Sequence, residues 1–291
     1  MNSVAQTQGS LPQHLVDQYW RDGFLFPVSV LSETEARHYR AQIEDVERDW
    51  LDNALPLPLN TFKRVNAQCV MPFVYELATR STVLDAVESL LGPDLLIYSA
   101  EFFIKNARSD QFVSMHQDLT YWGMGTTSEM VTAWIALSPA TRESGCMDFV
   151  RGSHKSEILP HKDTFDDRNL LSRGQEIEVQ VDEKDKTPIL LSPGQMSLHH
   201  GLTIHGSGPN HSDDRRIGAV VRYITPRVSQ NVAEKDYAMV VRGADRIGNF
   251  IHYAPPSRLF SPASVALYDE IRQARAQAMM AGTKVRKGIY A

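Results

Sequence analysis

The chain shows two hydrophobic periods, one after the other. Up to about residue 92 apolar residues recur with helical spacing. Pro12 opens the pattern LPQHLVDQYWRDG, and Gly23 stops it. FLFPVSVL then reads as a short apolar strand and loop. Ser32 and Glu35 form the capping-box pattern S-x-x-E ahead of a surface helix to about Leu51. LDNALPLPLN is a proline-rich connection, and Ser81 begins a further helix. Its apolar face is Val83, Leu84, Val87, Leu90 and Leu91, and Gly92 ends it.

From Asp94 the segments become short, β-branched and aromatic. LLIYSAEFFIK, FVSMHQD, MVTAWIAL, CMDFV, EIEVQV, PILL, QMSLHH and RIGAVVRYI are punctuated by Gly, Pro, Asn and Asp. Eight such pieces between residues 94 and 225 predict an antiparallel sandwich or jelly roll. Polar residues 155–175 read as a long surface loop, a candidate lid. A last helix follows Ser261, its cap. The organisation expected is one mainly β domain: a tail at 1–10, helices over 11–93, a jelly-roll core over 94–225 and a helical extension over 226–291.

Composition narrows the function. Hydrophobic residues make up 42% and charged residues 22%, an ordinary soluble balance, and the net charge is −5. No basic run points to a nucleic acid or a membrane surface. No run of about 18 apolar residues is present, and MNSVAQTQGS lacks signal-peptide character, so a cytoplasmic protein is expected. Two cysteines, Cys69 and Cys146, are too few for a disulfide framework or a cysteine-rich zinc site.

Candidate chemistry concentrates in two places. In MHQDLTYW, a strand would turn His116 and Asp118 to one side. Such a pair alone is more often a hydrogen-bonded couple than a metal site. A third ligand could come from LHHGLTIHGSGPN, where His199, His200 and His205 compete. His199 and His200 are neighbours on a strand, so one should face inward and one outward. Two histidines and a carboxylate on one side of a metal leave three open positions, the arrangement that suits iron(II). Arg216 lies eleven residues after His205, and a hairpin of that length could return it beside the ligand, where a guanidinium can clamp a carboxylate. Arg215 and Arg222 are its competitors, and a surface salt bridge is the plain alternative.

These motifs resemble the phytanoyl-CoA dioxygenase family of iron(II)/2-oxoglutarate oxygenases. The resemblance runs through QYWRDGFLFPVSVLSETEARHYR, HQDLTYWG, VTAWIALSPATRESGCMDFVRGSHK and HGSGPNHSDDRRIGAVVRYI. Arg151 departs from it, standing where the family often has proline. The resemblance implies a double-stranded β-helix, with His116, Asp118 and His205 on iron. It also implies that Arg216 holds the distal carboxylate of 2-oxoglutarate with Ser207 nearby, and Trp122 and Thr132 on the cosubstrate side. The implied chemistry uses O2, decarboxylates 2-oxoglutarate to succinate and CO2, and hydroxylates a small-molecule substrate. Asp118 argues against halogenation, since iron halogenases of this fold carry a small residue there.

The polar set Glu101, Lys105, Asn106, Gln117, Tyr121, Asp148 and Arg151 points to a small polar substrate of amino-acid or aminoalkylphosphonate type, with Lys105, Gln117 and Tyr121 as candidate contacts. For Lys105 a solvated strand position is the plain alternative, and for Trp122 a place in the core. Rival functions are an oxygenase of an apolar intermediate or acyl thioester, a zinc hydrolase on the same ligands, and a non-catalytic cupin-like binder. Oligomeric state is not legible.

Overall fold

A computed structural model of the chain describes residues 9–120, 122–233 and 236–279. Helix α1 (Gln13–Asp22) leads into strand β1 (Phe24–Ser29), then α2 (Glu33–Trp50), α3 (Leu59–Arg64), α4 (Pro72–Ala78) and α5 (Ser81–Leu91). The strands that follow are β2 (Leu95–Lys105), β3 (Val113–His116), β4 (Met130–Ala136), β5 (Met147–Val150), β6 (His161–Asp163) and β7 (Gln175–Ile177). Next come β8 (Lys186–Ile189), β9 (Gln195–His200), β10 (His205–Ser207), β11 (Arg216–Ile224) and β12 (Met239–Arg242), and α6 (Pro262–Met279) closes the described chain.

Two antiparallel sheets face each other as a jelly roll. One runs β1-β9-β4-β11-β2-β12, the other β3-β10-β5-β8. Between them Phe24, Trp134 and Val220 pack on Met147, Phe149 and Ile189. The outer face of the larger sheet, with Ala133, Ile135, Ala219 and Val221, is covered by apolar residues of α2, α4, α5 and α6. Both faces of β4 and β11 are therefore buried, which is why those strands read as continuous apolar runs rather than alternating ones.

Local signals explain several helix ends. Gly23 adopts the left-handed conformation and stops α1. Ser32 and Glu35 form both bonds of the capping box at α2. Ser261 Oγ accepts from Ser264 N at 3.2 Å at the start of α6. Ser81 is the first helical residue of α5, as expected, with Arg80 at the N-cap position.

Three expectations change. Residues 155–175 are not all loop, because β6 pairs with β7 in a two-stranded sheet, and of EIEVQV only Glu176 and Ile177 belong to a strand. The short β10 and β12 carry too few residues for a visible period. His200 is not outside: it is buried on the opposite face of β9 from His199, against Trp20 and His154. Both cysteines are buried and free. No helix of the described residues is long and apolar enough to cross a membrane.

Candidate active site

Strand β10 places His205 directly opposite His116 of β3, with Phe149 of β5 on its other side. Gly206 permits that close pairing, since a Cβ there would come within 2.7 Å of Met115 Sδ and 2.8 Å of the Val113 carbonyl. Gly208 has open space around it and no such role. His116 Nδ1 donates to the Ser114 carbonyl at 2.8 Å, and His205 Nδ1 to the Thr203 carbonyl at 2.9 Å. With Nδ1 anchored on a carbonyl, each ring presents its Nε2 as the atom that would meet a metal.

Asp118 reaches this point by a route the strand reading did not foresee. His116 is the last strand residue, and Asp118 opens a 3-10 turn over Asp118–Thr120. The Leu119 amide, donating to Gly201 at 3.0 Å, holds the turn in place. Asp118 Oδ1 lies 3.7 Å from His116 Nε2, while Oδ2 accepts from Thr132 Oγ at 2.8 Å. Burial would raise the carboxyl's pKa, but Arg222 at 3.6 Å and the surrounding histidines outweigh it and hold the group well below the usual range. Burial pushes His205 toward the neutral form. The ligand atoms of His116, Asp118 and His205 all lie within 4.8 Å of one another, and all three residues are buried.

The cavity beside this triad runs between the sheets to Arg216. Arg216 lies on β11, in the sheet opposite β10, so the chain crosses between sheets instead of forming the expected hairpin. Its side chain is 1% exposed. Nη1 donates to the Gly145 carbonyl at 2.8 Å, Nε has no partner, and no carboxylate pairs with it among the described residues. Burial lowers its pKa to about 10. The guanidinium sits 5.3 Å from the Trp134 ring centre. Trp134 lies over Gly218, where a Cβ would come within 2.0 Å of the ring. Next to Arg216 on β2 is Lys105, buried, with Nζ donating to Ser207 Oγ at 2.7 Å and to the Gly208 carbonyl. Burial and then Arg216 pull the amine's pKa down to about 6, so Arg216 is the charged partner of the two at neutral pH.

A second, outer cleft shares Phe103, Asp118 and Arg222 with the inner cavity. Its walls include Arg64, Glu101, Trp122, Arg275 and Met279. Arg222 pairs with Glu101 and stands 4.6 Å over the Trp122 ring. Trp122 therefore belongs to this cleft and not to the inner cavity, and the Thr132 hydroxyl is committed to Asp118. The indole beside Arg216 is Trp134, two positions beyond Thr132 on the same strand face, a spacing that was readable in VTAWIAL.

Of the polar set, Glu101 reaches the outer cleft, while Lys105 does not line the inner cavity but bonds its lining residue Ser207. Gln117 is fully buried but its amide is used up on Leu202 and Glu157 carbonyls and the Leu159 amide. Asn106 bonds Arg215, Arg151 pairs with Asp22, and Asp148 sits opposite Gly206 on the far side of β5 from Phe149. Tyr121 lies outside the described residues. Arg215 is a surface partner of Glu47. Arg64 and Arg275 had no signal in the sequence, because a charged helix residue reads as solvated until the fold buries it.

The donor set fits iron(II): two imidazoles and a carboxylate on one side, with space opposite. The far end fits an anion, because a buried guanidinium without a carboxylate is costly unless something negative completes it. Non-haem iron(II) enzymes that use 2-oxoglutarate need both ends of such a cavity, and the chain is an oxygenase of that class. It belongs to the phytanoyl-CoA dioxygenase (PhyH) family, whose model matches residues 19–218. A probable phytanoyl-CoA dioxygenase of Caenorhabditis elegans is 23% identical over 68% of this chain and 70% of its own length. A probable alpha-ketoglutarate-dependent hypophosphite dioxygenase of Stutzerimonas stutzeri is 29% identical over 48% of this chain, which spans about half (49%) of that relative. Among solved structures, apo ThoJ, a non-heme monooxygenase, superposes with a TM-score of 0.82 at 34% identity, covering 91% of this chain and 97% of ThoJ.

Proposed function

We propose that this oxygenase hydroxylates a small polar metabolite of amino-acid or aminoalkylphosphonate type, holding iron on His116, Asp118 and His205 and 2-oxoglutarate against Arg216. The observation that carries the reading is the buried Arg216, without a carboxylate, in the same cavity as the triad. Bound iron supplies activation of O2 coupled to decarboxylation of 2-oxoglutarate. The protein's share is positional. Thr132 fixes one oxygen of Asp118, and the main-chain carbonyls of Ser114 and Thr203 fix the two imidazoles. Lys105 holds Ser207, one of the residues lining the cavity.

Support for a polar substrate comes from the outer cleft. Glu101 and Arg222 give it one anion and one cation beside the metal ligand Asp118, and Arg64 adds a second positive group. A zwitterion can exchange partners with such a pair, whereas a long alkyl chain could only cover these charged groups and cut them off from water, at a desolvation cost. The relatives' names span an acyl-CoA and hypophosphite, so family membership does not choose between them. The test is substrate-dependent succinate formation with iron and O2, comparing small zwitterions, aminoalkylphosphonates, acyl-CoA thioesters and apolar terpenoids. Preference for a thioester or a terpenoid would overturn the substrate class.

A further inference from the structure

Three histidines line the inner cavity, and two have their Nδ1 anchored on a backbone carbonyl. The third, His199, is 1% exposed and has no hydrogen-bond partner at either ring nitrogen. Its neighbour on the strand shows that the position does not demand this, since His200 Nδ1 accepts from the Leu202 amide at 3.1 Å. His199 packs on Phe149 at 4.9 Å and His205 at 4.5 Å between ring centres, which fixes the ring inside the cavity. It faces Thr132 across the β9–β4 ladder, in the row that supports Asp118. Its Nε2 stands 3.5 Å from Asp118 Oδ2, beyond a normal hydrogen bond, and Thr132 already donates to that oxygen at 2.8 Å. It is not part of the three-residue metal group.

A buried imidazole carries at least one N–H, and leaving it unbonded is unfavourable. Resting on the reading that 2-oxoglutarate occupies this cavity, we infer that His199 is a cosubstrate-binding residue. It donates a hydrogen bond to the 2-oxo acid end of 2-oxoglutarate, near the triad, while Arg216 takes the distal carboxylate.

The test uses the full chain loaded with redox-silent Mn(II), titrated calorimetrically with metal, 2-oxoglutarate and pyruvate, which has the 2-oxo acid end but no distal carboxylate. If the wild type fails to bind 2-oxoglutarate in a Mn(II)-dependent way, the underlying reading falls, and this inference with it. If it binds, His199→Phe should keep Mn(II) affinity within about threefold and lose about tenfold or more for both acids, the scale of a hydrogen bond to a charged group. His199→Gln, which keeps an N–H, should recover part of the loss, and Arg216→Ala should weaken 2-oxoglutarate but not pyruvate. If His199→Phe does not fold, His199→Leu serves as the donor-free variant. Unchanged 2-oxoglutarate binding without the donor, a loss that spares pyruvate, or a joint loss of Mn(II) and 2-oxoglutarate affinity would each overturn the assignment. The last outcome would mean that His199 acts through Asp118.

Discussion

Under the proposed function, Arg216 is the most consequential single side chain outside the triad. Its guanidinium is buried over Trp134 with one backbone carbonyl for a partner. Arg216→Ala should therefore raise the 2-oxoglutarate dissociation constant about a hundredfold, on the order of 2–3 kcal/mol for a lost bidentate contact, with little change in metal affinity. Paired titrations of metal and cosubstrate check this, and an unchanged 2-oxoglutarate titration would reassign the clamp. Lys105 gives a pH prediction. Its folded pKa is lowered to about 6 from an ordinary 10.5, so folding releases its proton between those values. The unfolded state then binds more protons, and stability from this group rises with pH across that window, by at most about 1.4 kcal/mol per unit. Lys105→Met should be more stable than wild type at pH 7, with the margin narrowing by pH 9. Denaturant midpoints at the two pH values measure it, and a margin that is flat or widens with pH contradicts a neutral buried amine.

Two elements carry geometry that a single methyl group can test. In β11, Gly218 gives Trp134 its space, and Trp134 in turn lies against Arg216. Gly218→Ala forces the ring to move, an overpacking cost of about 1–3 kcal/mol. The expected result is weaker 2-oxoglutarate binding with the metal site intact, read by the same two titrations. Equal loss of both would place the damage at the triad. At α2, removing the capping hydroxyl in Ser32→Ala should lower unfolding free energy by about 1 kcal/mol without touching either titration. These ends were legible beforehand because capping and turn chemistry are local: Ser32, Glu35, Gly23 and Ser261 each act within a few residues. Strand β10 was not legible, because three residues show no period and its identity comes from pairing with β3 and β5. The turn at Asp118 was hidden for a related reason, since the partner of its Leu119 amide is the distant Gly201.

At the scale of the whole molecule, residues far apart in sequence share one cavity, and legibility followed motif density. His116, Asp118, His205 and Arg216 lie in dense motifs, and the fold brings them to one space. The outer cleft draws on α3, β2, β11 and α6, where Arg64, Glu101, Arg222 and Arg275 are isolated charges with no local pattern. Gln117 and Arg151 misled for the converse reason: they sit beside motif residues but spend their polar groups on backbone carbonyls and on Asp22. The most direct measurement is an anaerobic titration of the purified chain with iron(II) and 2-oxoglutarate, followed by the visible charge-transfer absorption of the chelate. Wild type should develop the band at one equivalent of each, His205→Ala and Asp118→Ala should not, and Arg216→Ala should need about a hundredfold more 2-oxoglutarate. A full band in either triad variant at wild-type concentrations would contradict the assignment of the metal site.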